Sequence, residues 1–66
     1  MSSTISLQLT EDEAEIIVDA LESDMEGYVE SAKEARGNNR RAEVATFEEA
    51  AQRIAAVRDR IRKLLD

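Results

Sequence analysis

Apolar side chains recur every three or four residues along two long stretches of this chain. The first set is Ala14, Val18, Leu21, Met25, Tyr28, Ala32 and Ala35. The second set is Phe47, Ala50, Ile54, Val57, Ile61 and Leu64. Alternating spacings of three and four place such residues on one side of a helix that packs lengthwise against another helix. The pattern therefore predicts two long amphipathic helices.

A turn signal separates the two stretches. Gly37, Asn38 and Asn39 are adjacent, and residues of these types favour turns and helix ends. Folding the chain back there gives an all-α fold, an antiparallel two-helix hairpin with helices at about residues 11–36 and 40–65, in which Tyr28 falls near Phe47. We expect residues 1–66 to form a single domain, with an extended arm at 1–9, helix 1 at 10–36, the turn at 37–39 and helix 2 at 40–66.

Two segments can form a capping box at the start of a helix. Thr10 is followed at the third position by Glu13, and Thr46 by Glu49. In this motif the Thr hydroxyl accepts a hydrogen bond from the later backbone amide, and the acidic side chain accepts one from the Thr amide. The first box predicts that helix 1 begins at Thr10. The second leaves two starts open for helix 2, near Arg40 or at Phe47, and we favour the earlier start because it gives helices of equal length.

Apolar and polar residues alternate strictly in the N-terminal arm. Its apolar side chains are Ile5, Leu7 and Leu9, and its polar side chains are Thr4, Ser6 and Gln8. A period of two is typical of a short β-strand, but a single strand requires a partner strand. The arm is therefore either an extended segment whose apolar side chains lie on the helices, or a strand that pairs with a second copy of the chain.

The chain is too short to bury a large core by itself. Its 66 residues contain neither Cys nor His, so disulfides and the common zinc ligands are absent and oligomerisation remains as a source of stability. Further apolar residues lie beside the two predicted contact stripes. The candidate dimer or core contacts are Ile16, Ile17, Val29, Val44 and Leu65. Burying them against a second hairpin predicts a homodimer, a four-helix bundle.

Charge is distributed unevenly along the chain. The net charge is −6, but residues 1–35 contain ten acids and one base, whereas residues 36–66 contain eight bases and five acids. An acidic stripe follows helix 1 and consists of Asp12, Glu15, Asp19, Glu22, Glu26, Glu30 and Glu34. Such a row is either a solvated face that keeps the protein soluble or a surface that binds a basic protein partner. The second interpretation predicts a small non-enzymatic interaction or regulatory protein.

A basic cluster surrounds the predicted turn. Arg36, Arg40 and Arg41 are candidates for holding a phosphate or an acidic protein patch. The alternative is that they are solvated turn residues that complement the negative C-terminal end of helix 1.

Composition argues against several classes of function. We find no catalytic or metal-binding constellation, because the carboxylates lie on an open helix face and no histidine is present. We therefore expect no cofactor and no small-molecule substrate. The acidic balance disfavours nucleic acid as a partner. No apolar run is long enough to span a membrane, and the N-terminus lacks the features of a secretory signal, so the expected location is the cytoplasm.

The sequence Thr-Ile-Ser-Leu-Gln-Leu-Thr-Glu-Asp-Glu-Ala at residues 4–14 resembles the start of the ribbon-helix-helix repressors. The resemblance covers about residues 4–21. It implies a dimeric DNA-binding regulator whose intersubunit β-ribbon places Thr4, Ser6 and Gln8 in the major groove. The remaining sequence departs from that family, which has a much shorter first helix and a turn near the position of Gly27.

Overall fold

Two antiparallel helices form the body of the protein. A computed structural model describes residues 3–65, in which helix α1 spans Glu11–Gly37 and helix α2 spans Arg41–Leu65. The rings of Tyr28 and Phe47 lie with their centroids 6.3 Å apart, as the hairpin register predicts. The prediction of an all-helical hairpin is confirmed for these residues. Residues 1, 2 and 66 of the predicted arm and second helix lie outside the described residues.

A complete capping box fixes the start of α1. The amide of Glu13 donates to the hydroxyl of Thr10 over 3.1 Å, and the amide of Thr10 donates to the Glu13 carboxylate over 2.9 Å. The hydrogen bond from the Thr10 backbone, and then that from its side chain, lowers the pKa of Glu13. The predicted start of helix 1 is therefore confirmed.

The turn between the helices uses an asparagine in the left-handed conformation. Asn39 has a φ of 63°, while neither glycine has a positive φ. The amide of Arg40 donates to the carbonyl of Ala35 over 2.9 Å, and the amide of Asn39 donates to that of Arg36 over 3.2 Å. These two bonds form the Schellman arrangement that ends many helices. The prediction that Gly37 stands just past helix 1 is wrong, because Gly37 is the last helical residue.

Helix α2 begins close to the turn. It starts at Arg41, and the carbonyl of Arg40 accepts the hydrogen bond from the amide of Val44 over 3.1 Å. Thr46 lies within the helix, where its hydroxyl donates to the carbonyl of Ala42. The earlier start is therefore the one adopted, and Thr46 caps no helix.

The buried interior consists of small residues. The most buried side chains are Ala14, Val18, Ala32 and Ala35 of α1 and Ala51 of α2. Tyr28, Phe47, Ile54 and Ile61 are half-buried between the helices. The core stripe predicted for α1 is confirmed at its buried positions, and the alanines allow the two backbones to approach closely.

Helix α2 is rotated about its axis relative to the orientation that its sequence predicts, so that only part of the predicted stripe contacts α1. Val57 is 46% exposed and Leu64 is 84% exposed, although both belong to the predicted stripe. The residues of α2 that are buried or half-buried are Val44, Phe47, Ala50, Ala51, Ile54, Ala55, Arg58, Ile61 and Leu65. They include four members of the predicted stripe, which are Phe47, Ala50, Ile54 and Ile61. A second stripe with spacings of four and three, Phe47, Ala51, Ile54, Arg58, Ile61 and Leu65, lies wholly within this set. The side chain of Arg58 is only 18% exposed, so its aliphatic stem serves as core surface.

The N-terminal arm contains no helix or strand from residue 3 to residue 10. Its residues 3–9 form no backbone hydrogen bond with the helices in the described part of the chain. The apolar side chains of Ile5, Leu7 and Leu9 nevertheless line a groove with residues of both helices. Ile5 remains 90% exposed and Leu7 remains 72% exposed, so the groove is open to solvent.

Candidate functional site

The acidic stripe lies on the side of α1 that faces away from α2. Six of its members are exposed and form no ion pair within residues 3–65: Asp12, Glu15, Asp19, Glu26, Glu30 and Glu34. We call these six residues the acidic face. At a rise of 1.5 Å per residue, a face that follows the helix from Asp12 to Glu34 is about 33 Å long.

Glu22 is not part of the acidic face, because its carboxylate pairs with arginines of α2. Its carboxylate lies 4.0 Å from the Arg58 guanidinium and forms a second ion pair with Arg62. The Arg58 guanidinium also contacts the sulfur of Met25 over 3.5 Å. Glu22 thus belongs to the interface between the two helices.

The cross-helix ion pairs lie on one side of the hairpin. Arg36 pairs with Glu48 over 2.9 Å near the turn, and the pairs of Glu22 are farther along the same side. A shallow depression on this side is lined by Val29, Lys33, Arg36, Glu48 and Gln52, among others. We call this side of the hairpin the paired side. Asp24 forms no ion pair with Arg53, and Glu15 forms none with Arg58, within residues 3–65.

The opposite side of the hairpin carries an apolar groove of about 1070 Å³. The arm forms one part of its lining, and the apolar lining residues of the two helices include Ile17, Val57, Ile61 and Leu64. The charged side chains of Glu11, Arg60 and Lys63 also line it. We call this the open side, because no cross-helix ion pair closes it within the described residues.

The five candidate dimer contacts do not form one surface. Ile17 and Leu65 line the groove of the open side, whereas Val29 lines the depression of the paired side. Ile16 is 67% exposed near the acidic face, and Val44 is half-buried near the start of α2. The structure thus brings together only part of the set.

Ion pairs engage two of the three arginines at the turn. Arg36 binds Glu48, and Arg40 lies 3.5 Å from Glu43 in the first turn of α2. Arg41 is exposed and forms no ion pair within residues 3–65. What sequence reasoning missed is that Arg58 and Arg62 both pair with Glu22. Their spacing of four places both on one side of α2 and is the signal that could have indicated a shared acidic partner.

Within residues 3–65, no three carboxylates lie close enough together to hold a metal ion. Neither described helix combines the length and the apolar composition needed to cross a membrane.

Comparisons of this chain with protein-family models, with curated proteins and with solved structures found no match.

Proposed function

We propose that this protein is a small, non-enzymatic interaction protein that binds a basic protein partner through its acidic face. The observation that supports this most strongly is the row of six exposed carboxylates without ion pairs among the described residues. Four arginines form ion pairs within residues 3–65, but their partners are Glu22, Glu43, Glu48 and Asp59 rather than the acidic face. The acidic face is left for a ligand of opposite charge.

Repulsion within the row favours such a ligand. Glu22, Glu26, Glu30 and Glu34 are spaced by four residues, and like charges at this spacing destabilise a helix by about 0.2–0.5 kcal/mol per pair. The arginines beside Glu22 offset this repulsion at one end only. A partner that places lysines or arginines along α1 reduces the repulsion over the remaining length of the helix. The negative potential of the acidic face also increases the rate at which such a partner associates.

The same proposal includes assembly as a dimeric four-helix bundle. Its support is the small size of the buried core and the exposed apolar residues, which include Ile5, Leu7 and Leu64. A single core of this size supplies only a few kcal/mol. A second hairpin covers apolar side chains that one hairpin leaves in water.

Binding of a lysine- and arginine-rich helical peptide, followed by fluorescence anisotropy at increasing salt, tests the acidic face. We expect Glu26→Gln/Glu30→Gln to weaken binding at least about fivefold at low salt, because it removes two adjacent charges of the face. The control is Glu43→Gln/Glu49→Gln on α2, which changes the net charge equally and should weaken binding less than about twofold. Salt-insensitive binding, or equal effects of the two double variants, would contradict the proposal. A pull-down from the native host with salt elution then identifies the partner.

An alternative function is DNA binding by a strand-paired dimer. Its support is the arm, whose backbone at residues 3–9 is not hydrogen-bonded to the helices. Thr4, Ser6 and Gln8 then contact bases, and Gln8→Ala should abolish binding without loss of helicity. The 27-residue length of α1 is the departure from the resembling family that weighs against it. If the wild-type protein binds no duplex at low salt, this alternative fails.

A further inference from the structure

We infer that a second copy of this chain docks on the open side, so that α1 of each copy lies over α2 of the other. The inference rests on the four-helix bundle proposed above and goes beyond it by assigning the face and the orientation. It makes the interface isologous, with the two-fold axis parallel to the helices.

The apolar surface of the open side favours this face over the paired side. Ile17, Val57 and Leu64 line its groove, and Leu64 alone is 84% exposed. The arm adds Ile5 and Leu7 at the same end of the hairpin. On the paired side, by contrast, the arginines and glutamates are already joined across the helices. Docking there would bury or break charged pairs, which is costly.

Charge selects the orientation of the second copy. Of the charged side chains that line the groove of the open side, Glu11 belongs to α1, whereas Arg60 and Lys63 belong to α2. Two orientations bring one open side against another with two-fold symmetry. An axis perpendicular to the helices places α1 against α1, acid against acid. An axis parallel to the helices places each α1 over the partner's α2, where opposite charges meet. Because like-charge contacts are unfavourable, the parallel axis is preferred.

Asp24 and Arg53 give this orientation a specific contact. Asp24 lies two helical turns after Ile17, and Arg53 lies two turns before Arg60, so both belong to the open side. The contact of Tyr28 with Phe47 and that of Glu22 with Arg58 bracket them, which places them at the same height. They form no ion pair within the described residues of one copy. Across the parallel axis, Asp24 of each copy faces Arg53 of the other.

The orientation also sets where the acidic faces lie. Each acidic face is on the side of α1 away from its own α2, so it remains outside the four-helix core. The dimer therefore presents two acidic faces on opposite flanks. A basic partner can bind either face without displacing the second copy.

Disulfide trapping tests the orientation, since the natural chain contains no cysteine. Asp24→Cys and Arg53→Cys are prepared separately, mixed at equal concentration and oxidised mildly. Both positions lie at the middle of their helices, so the acid-against-acid orientation would join each variant to itself. We expect instead that the mixed dimer dominates and that each variant alone yields little covalent dimer. Self-linked dimers of each variant would overturn the inference and leave the bundle standing.

Charge reversal with sedimentation equilibrium supplies an independent measurement. Asp24→Arg and Arg53→Asp should each weaken dimerisation by roughly threefold to tenfold, because two symmetric contacts become repulsive. The double variant Asp24→Arg/Arg53→Asp should recover the wild-type constant within about twofold. Failure of the recovery would count against the assigned contact. A folded monomer at all micromolar concentrations would overturn both the bundle and its orientation, whereas the peptide-binding assay reports on the acidic face separately.

Discussion

The left-handed residue at the turn is Asn39, and this assignment gives two neighbouring substitutions opposite effects. Gly37 is helical, its φ is not positive, and a Cβ built there has no atom within 4 Å. Asn39 has a φ of 63°, a conformation that alanine adopts only with strain. The two positions thus separate the helical propensity of glycine from the conformational requirement of the turn.

We expect Gly37→Ala to raise the free energy of unfolding by about 0.5–1 kcal/mol, because alanine is the better helix former. Asn39→Ala should lower it by about 1 kcal/mol, because it strains the Schellman turn. Urea unfolding followed by circular dichroism measures both. A stabilising Asn39→Ala, or a destabilising Gly37→Ala, would show that the helix ends elsewhere.

Glu22 forms ion pairs across the two helices, whereas Glu26, the next residue of the stripe, forms none within residues 3–65. Its carboxylate pairs with Arg58, whose side chain is mostly buried, and with Arg62. Partly buried pairs contribute more than exposed ones, for which the usual range is about 0–1 kcal/mol. We expect Glu22→Gln to destabilise the protein by about 0.5–1 kcal/mol, with a smaller loss at high salt.

Glu26→Gln is the matched control for Glu22→Gln, because Glu26 is exposed and lies one turn further along α1. Its replacement should leave stability unchanged or raise it by a few tenths of a kcal/mol, since it removes a like-charge neighbour. Chemical unfolding at low and high salt compares the two variants. Equal losses in both would mean that the cross-helix pairs contribute nothing specific.

The sequence predicts α1 better than α2, and the reason is physical. In α1, the capping box at Thr10 determines where the helix begins, and a single apolar stripe determines which side packs against α2. In α2, two interleaved stripes share Phe47, Ile54 and Ile61, and apolarity alone favours the stripe that contains Val57. The structure buries the other stripe, since the guanidinium of Arg58 contacts the sulfur of Met25 and pairs with Glu22. The pattern of α1 alone was therefore enough to predict that the acidic face is exposed. The pairing of Glu22 could not be predicted in this way, because it depends on how α2 is rotated about its axis.

The buried core of the described residues is small. Within residues 3–65, four of the five buried apolar residues are alanines and no large side chain is fully buried. Small cores supply little stability, so folding should be coupled to dimerisation. The thermal midpoint should then rise with protein concentration, as mass action requires.

Leu64→Ser tests this coupling with Ile16→Ser as its control. Both residues are largely exposed in the single hairpin, so a monomeric protein should tolerate the two substitutions equally. If the second copy docks on the open side, Leu64→Ser removes a buried contact from each copy. It should lower the thermal midpoint by several degrees at high concentration and weaken the concentration dependence. Ile16 lies outside that interface, so Ile16→Ser should leave the thermal midpoint and its concentration dependence unchanged. Melting curves across a hundredfold concentration range decide the matter, because identical curves for the two variants would place the interface elsewhere.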